Sequence, residues 1–290
     1  MFKSNILKKS QLDALKQLNS KRLDFNMLNE DFFNAYKSSN IINRFILRHQ
    51  VNVLKYYDQC IGFLWTNPIG ASRHNFYINS MYIEDKYIDG DILNILNIFK
   101  HKSSVIYECK LNKVNQYALT KLGFNEKEST LELKKIISAK ETIFNLSNLK
   151  FIPFKIGLDE KRRCDLQNEI FKSSTREPLN VEDIYIDEIQ EYYVNDWCIF
   201  LKLNNEFIGY GQIIKSSNIP VIVNFGIHSR YRKRGFGEAL LSYLINILYD
   251  AGYKEVIIKV NKKNNAAYNL YIKKGFVKYD EYFTWILNKG

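Results

Sequence analysis

Apolar residues in the second half of the chain switch between two spacings. Val221 to Ile227 is rich in β-branched residues and predicts a strand. After a polar loop, Leu240, Leu241, Leu244, Ile245 and Leu248 recur at helical spacing and predict a helix from Gly237 to Asp250, ended by Ala251-Gly252. Glu255 to Val260 then predicts a strand, Asn265 to Lys274 a short helix stopped by Gly275, and Tyr282 to Leu287 a last strand. Upstream, Phe151 to Phe154 predicts a short strand and Asp159 to Ser173 a helix. A loop from Ser174 to Asn180 follows, and Asn180 is placed to cap a helix bearing Ile184, Ile186, Ile189 and Tyr192. Cys198 to Leu203 and Phe207 to Ile214 flank Asn204-Asn205 as a hairpin.

The first half shows a fainter version of this order. A helical opening precedes a hairpin pair, Val53 to Tyr57 and Cys60 to Trp65. Strands are expected at Asn75 to Ile83 and Ser104 to Cys109, and helices at Ile92 to Phe99 and Asn115 to Leu122. The two halves also end alike. Ser104-Val105-Ile106-Tyr107, Asn112 and Leu122-Gly123-Phe124 match Val256-Ile257-Ile258-Lys259, Asn264 and Lys274-Gly275-Phe276 at the same interval. A repeat this long implies duplicated domains rather than a solenoid. The expected division is 1–140 and 141–290, with about 135–150 as connector.

Charge and composition add limits. The chain has 290 residues and a formal charge of +11. Residues 1–140 carry 21 basic and 13 acidic side chains, against 21 and 18 in residues 141–290. A diffuse positive field attracts anions, but no basic stripe with interleaved aromatics singles out nucleic acid. No apolar run is long enough for a membrane span and the start does not read as a signal peptide, so a cytoplasmic protein without a membrane partner is expected. Cys60, Cys109, Cys164 and Cys198 lie far apart and form no zinc spacing, so no metal is expected. Cys60, Cys109 and Cys198 read as buried free thiols.

The candidate chemistry sits between the strand ending at Ile227 and the helix after it. Gly235 and Gly237 permit backbone shapes that a Cβ would obstruct. Successive N–H groups at a helix start can converge on a phosphate. Arg232, Lys233 and Arg234 place three cations at the same spot. The spacing is neither the P-loop nor the dinucleotide fingerprint.

Two segments carry a family likeness. Asn224-Phe225-Gly226-Ile227-His228-Ser229-Arg230-Tyr231-Arg232-Lys233-Arg234-Gly235-Phe236-Gly237-Glu238 closely resembles the acetyl-CoA-binding segment of the GNAT superfamily of N-acetyltransferases. Asn264-Asn265-Ala266-Ala267-Tyr268-Asn269-Leu270-Tyr271, followed by Gly275-Phe276, resembles that family's next motif. The resemblance covers about 150–290 well and the first half weakly. It implies an α/β fold with two tandem GNAT-like domains, each a mostly antiparallel mixed sheet flanked by helices. It implies acetyl-CoA as co-substrate, with Phe225, Gly226 and Ile227 along its arm and the Arg232 to Glu238 backbone, including Phe236 and Gly237, on the diphosphate. Asn264 would contact the arm, the Ile227 N–H would polarise the acetyl carbonyl, and Tyr271 would be the general acid. Asn224 cannot act as a base; Glu182, Asp183 and Glu191 stay open for that role, and His228 reads as structural.

In the first half, Leu119 stands where Tyr271 stands in the second, and Met81 to Asp91 replaces the loop, with Asp89 and Asp91 in place of cations. The interval from Ile83 to Asn112 is 29 positions, against 37 from Ile227 to Asn264. A degenerate domain that does not bind CoA is expected. The function expected is transfer of an acetyl group to a primary amine, either a small molecule or a peptide N-terminus. The alternatives are an aminoacyl-tRNA-dependent peptidyltransferase-like enzyme and a non-enzymatic acyl-CoA sensor.

Overall fold

The computed structural model describes every residue except 71, 73, 144–147, 174–175, 217 and 290. The first residues of the expected 174–180 loop and part of the expected 135–150 connector therefore lie outside the described residues. The chain forms two compact units: Met1–Thr130 with Glu281–Gly290, and Leu131–Asp280. In the first, β1 (Phe2–Ile6) precedes α1 (Leu12–Ser20), α2 (Arg22–Phe25), α3 (Phe32–Ser38) and α4 (Ile41–His49). Strands β2 (Val51–Tyr56), β3 (Gln59–Pro68), β4 (Asn75–Ile83) and β5 (Ser103–Cys109) follow, then α5 (Lys113–Lys121). Strand β6 (Asn125–Ile136) carries the chain across the boundary. The second unit continues with β7 (Leu149–Pro153), α6 (Glu160–Ile170), α7 (Val181–Glu188), β8 (Cys198–Leu203), β9 (Glu206–Ile214) and β10 (Val221–Ile227). It ends with α8 (Phe236–Asp250), β11 (Glu255–Asn261), α9 (Asn265–Lys273) and the start of β12 (Val277–Lys289).

Each unit is a mixed sheet with helices packed on it, and the strand orders correspond. The first runs β1-β2-β3-β4-β5 and then takes β12 and β6; the second runs β7-β8-β9-β10-β11 and then takes β6 and β12. In each, the fourth and fifth strands pair parallel, as a crossover connection requires, and the preceding pairs are antiparallel. The boundary departs from the expected division at residue 140. It falls at Thr130, and the last strand, expected in the second domain, pairs in part with β5 of the first unit, from Phe283 opposite Cys109 to Lys289 opposite Ser103. Trp285 and Leu287 are buried in the first unit's core by this pairing. The helix expected at Ile92 to Phe99 is a 3-10 helix, Ile92–Ile98.

The second core rests on α8, whose Leu240, Leu241, Leu244, Ile245 and Leu248 are fully buried. Each such side chain contributes about 1.5–3 kcal/mol on burial. Asn180 caps α7 as its sequence suggests: Asn180 and Asp183 exchange side-chain and backbone bonds at 2.8 and 2.9 Å. The helix stops at Glu188, so Ile189 and Tyr192 lie beyond it.

In the first unit the parallel ladder joins only Asn75–Tyr77 to Ser104–Ile106. Beyond it the two strands part, and their inner edges are closed by two asparagines from the α2–α3 connection. Asn29 donates to Met81 O (2.8 Å) and accepts from Met81 N (3.2 Å). Asn26 donates to Glu108 O (2.9 Å) and accepts from Lys110 N (3.2 Å). The Tyr107 hydroxyl joins them, accepting from Asn26 (2.9 Å) and donating to Asn29 (2.8 Å). Buried backbone groups must be satisfied, and here side chains replace the missing strand pairing. Asn29→Leu leaves the Met81 N–H and C=O without partners at nearly constant volume. It should destabilise the first unit by about 2–5 kcal/mol, read as earlier unfolding in denaturant and faster amide exchange at Met81.

Candidate functional site

The site starts at a fault in the second sheet. Strand β10 pairs parallel with β11 only at Val221–Ile257 and Ile222–Ile258, although both strands continue. At the same point β10 slips against β9: Val223 faces Gln212, but Gly226 faces Tyr210. One extra residue is accommodated, and Asn224 takes a φ of 50° to do so. Asn is among the few side chains that tolerate this left-handed backbone. Its side chain is held by a bond to Gln212 Oε1 (3.0 Å). A bulge bends a strand and raises its twist, so β10 leaves β11 and a cleft opens between them.

The cleft is a cavity of about 830 Å³. Phe225, Gly226 and Ile227 line it from β10, Arg232, Lys233, Gly235, Gly237 and Glu238 from the loop and α8, and Asn264 and Tyr271 from α9. The side chains of Arg234 and Phe236, also singled out by the sequence, do not line it. Phe236 is buried in the core, and Arg234 lies 5.9 Å from the Tyr231 ring centroid. The His228 N–H bonds to Ile208 O (2.8 Å) on β9. Peptide groups alternate along a strand, so the Ile227 N–H points away from β9, into the splay.

The three cations do not converge as one cluster. Arg232 turns inward, donating from Nε to Ile227 O (2.9 Å) and from a terminal nitrogen to Ile170 O (2.8 Å). It ties the end of β10 to the end of α6. Its own N–H donates to Ser229 O (3.3 Å). Gly235, at the N-cap of α8, has a φ of 82° and provides no side-chain cap. A β-carbon there would meet no atom within 4 Å, so the glycine is required by its backbone angle rather than by space. The first α8 bond is Ala239 N–H to Gly235 O (3.1 Å). The first-turn N–H groups before it have no acceptor within the helix and carry the positive end of its dipole. The loop therefore fits an anion.

Tyr271 is 4% exposed. Its ring lies 6.0 Å from Phe225 and 6.0 Å from Phe276, and burial raises its phenol pKa above the usual value. Asn264 caps α9 by accepting from Ala267 N (3.2 Å). Glu238 is held by Lys273 at 2.6 Å. His228 is held on both ring nitrogens: Nδ1 accepts from Arg230 N (3.3 Å), and Nε2 faces Glu169 at 3.1 Å. Asp183 and Asn224 line a second, smaller pocket; Glu182 and Glu191 line neither cavity.

Sequence reasoning missed Arg163. It is 1% exposed and pairs with Asp187 and with Gln212 Oε1 (3.0 Å). Gln212 also donates to Asp187 (3.0 Å). The bulge at Asn224 is thereby anchored to α6 and α7. Its only sequence signal is an arginine on the apolar side of an otherwise polar helix.

Residues 164–276 match the model of the acetyltransferase (GNAT) family. Over 119 residues the chain is 24% identical to N-alpha-acetyltransferase 30 of Schizosaccharomyces pombe, covering 38% of this chain and 78% of that protein. A GCN5-related N-acetyltransferase from Sphaerobacter thermophilus superposes with a TM-score of 0.64 at 14% identity, over 99% of this chain and 95% of that one. A tandem GNAT protein from the clavulanic acid biosynthesis pathway gives 0.56 at 10% identity, over 100% and 98%. At such identities these two structures speak to the fold alone. The segment that matches the acetyltransferase (GNAT) family lies within the second unit.

Proposed function

We propose that the second unit transfers an acetyl group from acetyl-CoA to a primary amine by direct attack, and that the first unit binds no CoA. The observation that carries the reading is the meeting of three features in one cavity: the splayed β10 edge, the uncapped start of α8 and buried Tyr271. The N–H groups from Lys233 to Glu238 suit a diphosphate, with Lys233 beside them. Phe225, Gly226 and Asn264 suit the pantetheine arm. Acetyl-CoA, when bound, supplies an activated thioester. The Ile227 N–H is a fixed donor for charge developing on the carbonyl oxygen. The amine nitrogen forms the C–N bond, the C–S bond breaks, and the amine gives up one proton to solvent water. Tyr271 is the donor for the leaving thiolate. Its raised pKa keeps the phenol protonated throughout the neutral range, so the donor is always present.

Tyr271→Phe should lower kcat by about 10²-fold or more and leave KM for acetyl-CoA within a few-fold, measured as thiol release with an amine panel. If no amine accelerates release and this variant changes nothing, the protein is an acyl-CoA sensor instead. The pH profile has a definite sign. Reactivity should rise with pH as the acceptor amine loses its proton. It should not fall again below about pH 10, the ordinary tyrosine range, because burial shifts Tyr271 upward.

The first unit keeps a splay but differs in what surrounds it. Asp85–Tyr87 and Ile92–Ile98 are 3-10 segments in place of a long α-helix, so no helix dipole faces the gap. Asn26 and Asn29 occupy the strand edges that an arm would need. Leu119, at the position of Tyr271, is buried. The full chain should bind one CoA by calorimetry, and Gly235→Val should abolish it, since a β-branched residue at positive φ is strongly disfavoured. A second equivalent that survives this substitution would sink the assignment of the first unit.

A further inference from the structure

Beside the main cavity lies a second pocket of about 240 Å³. Asn224 and Arg176 line both, so the two cavities meet at the bulge. This junction is where an acceptor would approach the acetyl group, so any acceptor assigned to it rests on the acetyltransferase reading.

Most of the charge in the small pocket is already committed. Arg163 pairs with Asp187, and its guanidinium lies 5.2 Å from the Tyr210 ring and 5.7 Å from that of Phe154. Asp187 also accepts from Gln212 (3.0 Å) and Tyr192 (2.9 Å). Asp183 is held at the start of α7 by Asn180 N (2.8 Å). Arg176 differs. Its guanidinium rests on the Phe171 ring at 4.8 Å, and among the described residues no carboxylate pairs with it. An exposed cation resting on an aromatic face at the junction of two cavities suits an anionic ligand group. The remaining walls are the buried Gln167 amide and three apolar side chains, Leu179, Ile184 and Ile186. The volume is below the roughly 300–1,000 Å³ of sites for larger ligands.

We propose that the acceptor is a small amino-carboxylate with an apolar side chain, its carboxylate held by Arg176 and its side chain placed against Leu179, Ile184 and Ile186. A peptide N-terminus presents a neutral amide at that position and leaves the arginine without a counter-charge. A free α-amino acid presents amine and carboxylate on one carbon, so both groups can be read at the junction.

The test compares leucine, leucinamide and isoamylamine as acceptors for the full-length protein, in thiol release and in calorimetric binding to the CoA-loaded protein. Leucine should exceed both others by about ten-fold or more in kcat/KM and in affinity, the range expected of a charge-assisted contact. Arg176→Gln should bring the three within about two-fold of one another, with KM for acetyl-CoA unchanged, and Arg176→Lys should restore part of the preference. Equal use of leucinamide and leucine by the unaltered protein overturns the proposal. So does a rise in KM for acetyl-CoA in Arg176→Gln without loss of discrimination, which assigns the arginine to CoA. If no amine is acetylated but leucine alone binds, and does so through Arg176, the pocket assignment stands and the acetyltransfer reading falls. If leucine neither reacts nor binds, the proposal falls.

Discussion

The second unit depends on one extra residue in β10. Without the slip between Val223 and Gly226, β10 would stay paired to β11 along its length and there would be no cavity. The bulge also sets the direction of the Ile227 N–H and places Asn224 at the border of both pockets. Such a fault has a backbone cost, which for a non-glycine residue at positive φ is of order 1–2 kcal/mol. The network Asn224–Gln212–Arg163–Asp187 surrounds it with short polar contacts. A buried ion pair is weak evidence for stability, but it can specify one geometry over others. Here it joins the bulge to α6 and α7, which also wall the smaller pocket.

The loop and its helix were legible because their constraints are local. Gly235 is needed for one backbone angle, and the Leu and Ile spacing of α8 for one face, so both leave a mark in a few consecutive residues. The strand Val221–Ile227 was legible to the residue, but its bulge was not, since the slip depends on the partner strand. The role of Arg232 was illegible for a similar reason. Nothing in an R-K-R run distinguishes an arginine that faces solvent from one that bonds the carbonyls of Ile227 and Ile170. Strand β6 was hidden by its charge: Glu126, Glu128, Glu132 and Lys134 interrupt the apolar alternation on which a strand is read. Missing β6 moved the expected boundary ten residues late, and the pairing of β12 with β5 is a long-range fact that no window can contain.

The two units solve one structural problem in opposite ways. In both, a parallel pair separates after two or three residues and leaves inner strand edges unpaired. An unpaired edge within a fold must be met by water, a ligand or the chain itself. In the first unit the chain meets it, through Asn26 and Asn29 with Tyr107 between them. Those side chains come from the connection between two early helices. The corresponding region of the second unit, after α6, instead supplies Phe171 and Arg176 to the cavity wall.

Under the proposed function the first unit has lost its ligand and kept its shape. Removing a ligand from an open cleft leaves the strand edges solvated, and little then favours retaining the splay. Two buried asparagines, each bonded to a donor and an acceptor of the parted strands, make the splay itself a low-energy state. On that reading, once they are in place a diphosphate loop has nothing to hold, and acidic residues such as Asp89 and Asp91 can stand where cations would otherwise be needed. The second unit has the converse constraint. Under the proposed function its cleft is satisfied from outside, which requires the Ile227 N–H and the first turn of α8 to stay without partners from the chain and so leaves them available to a substrate.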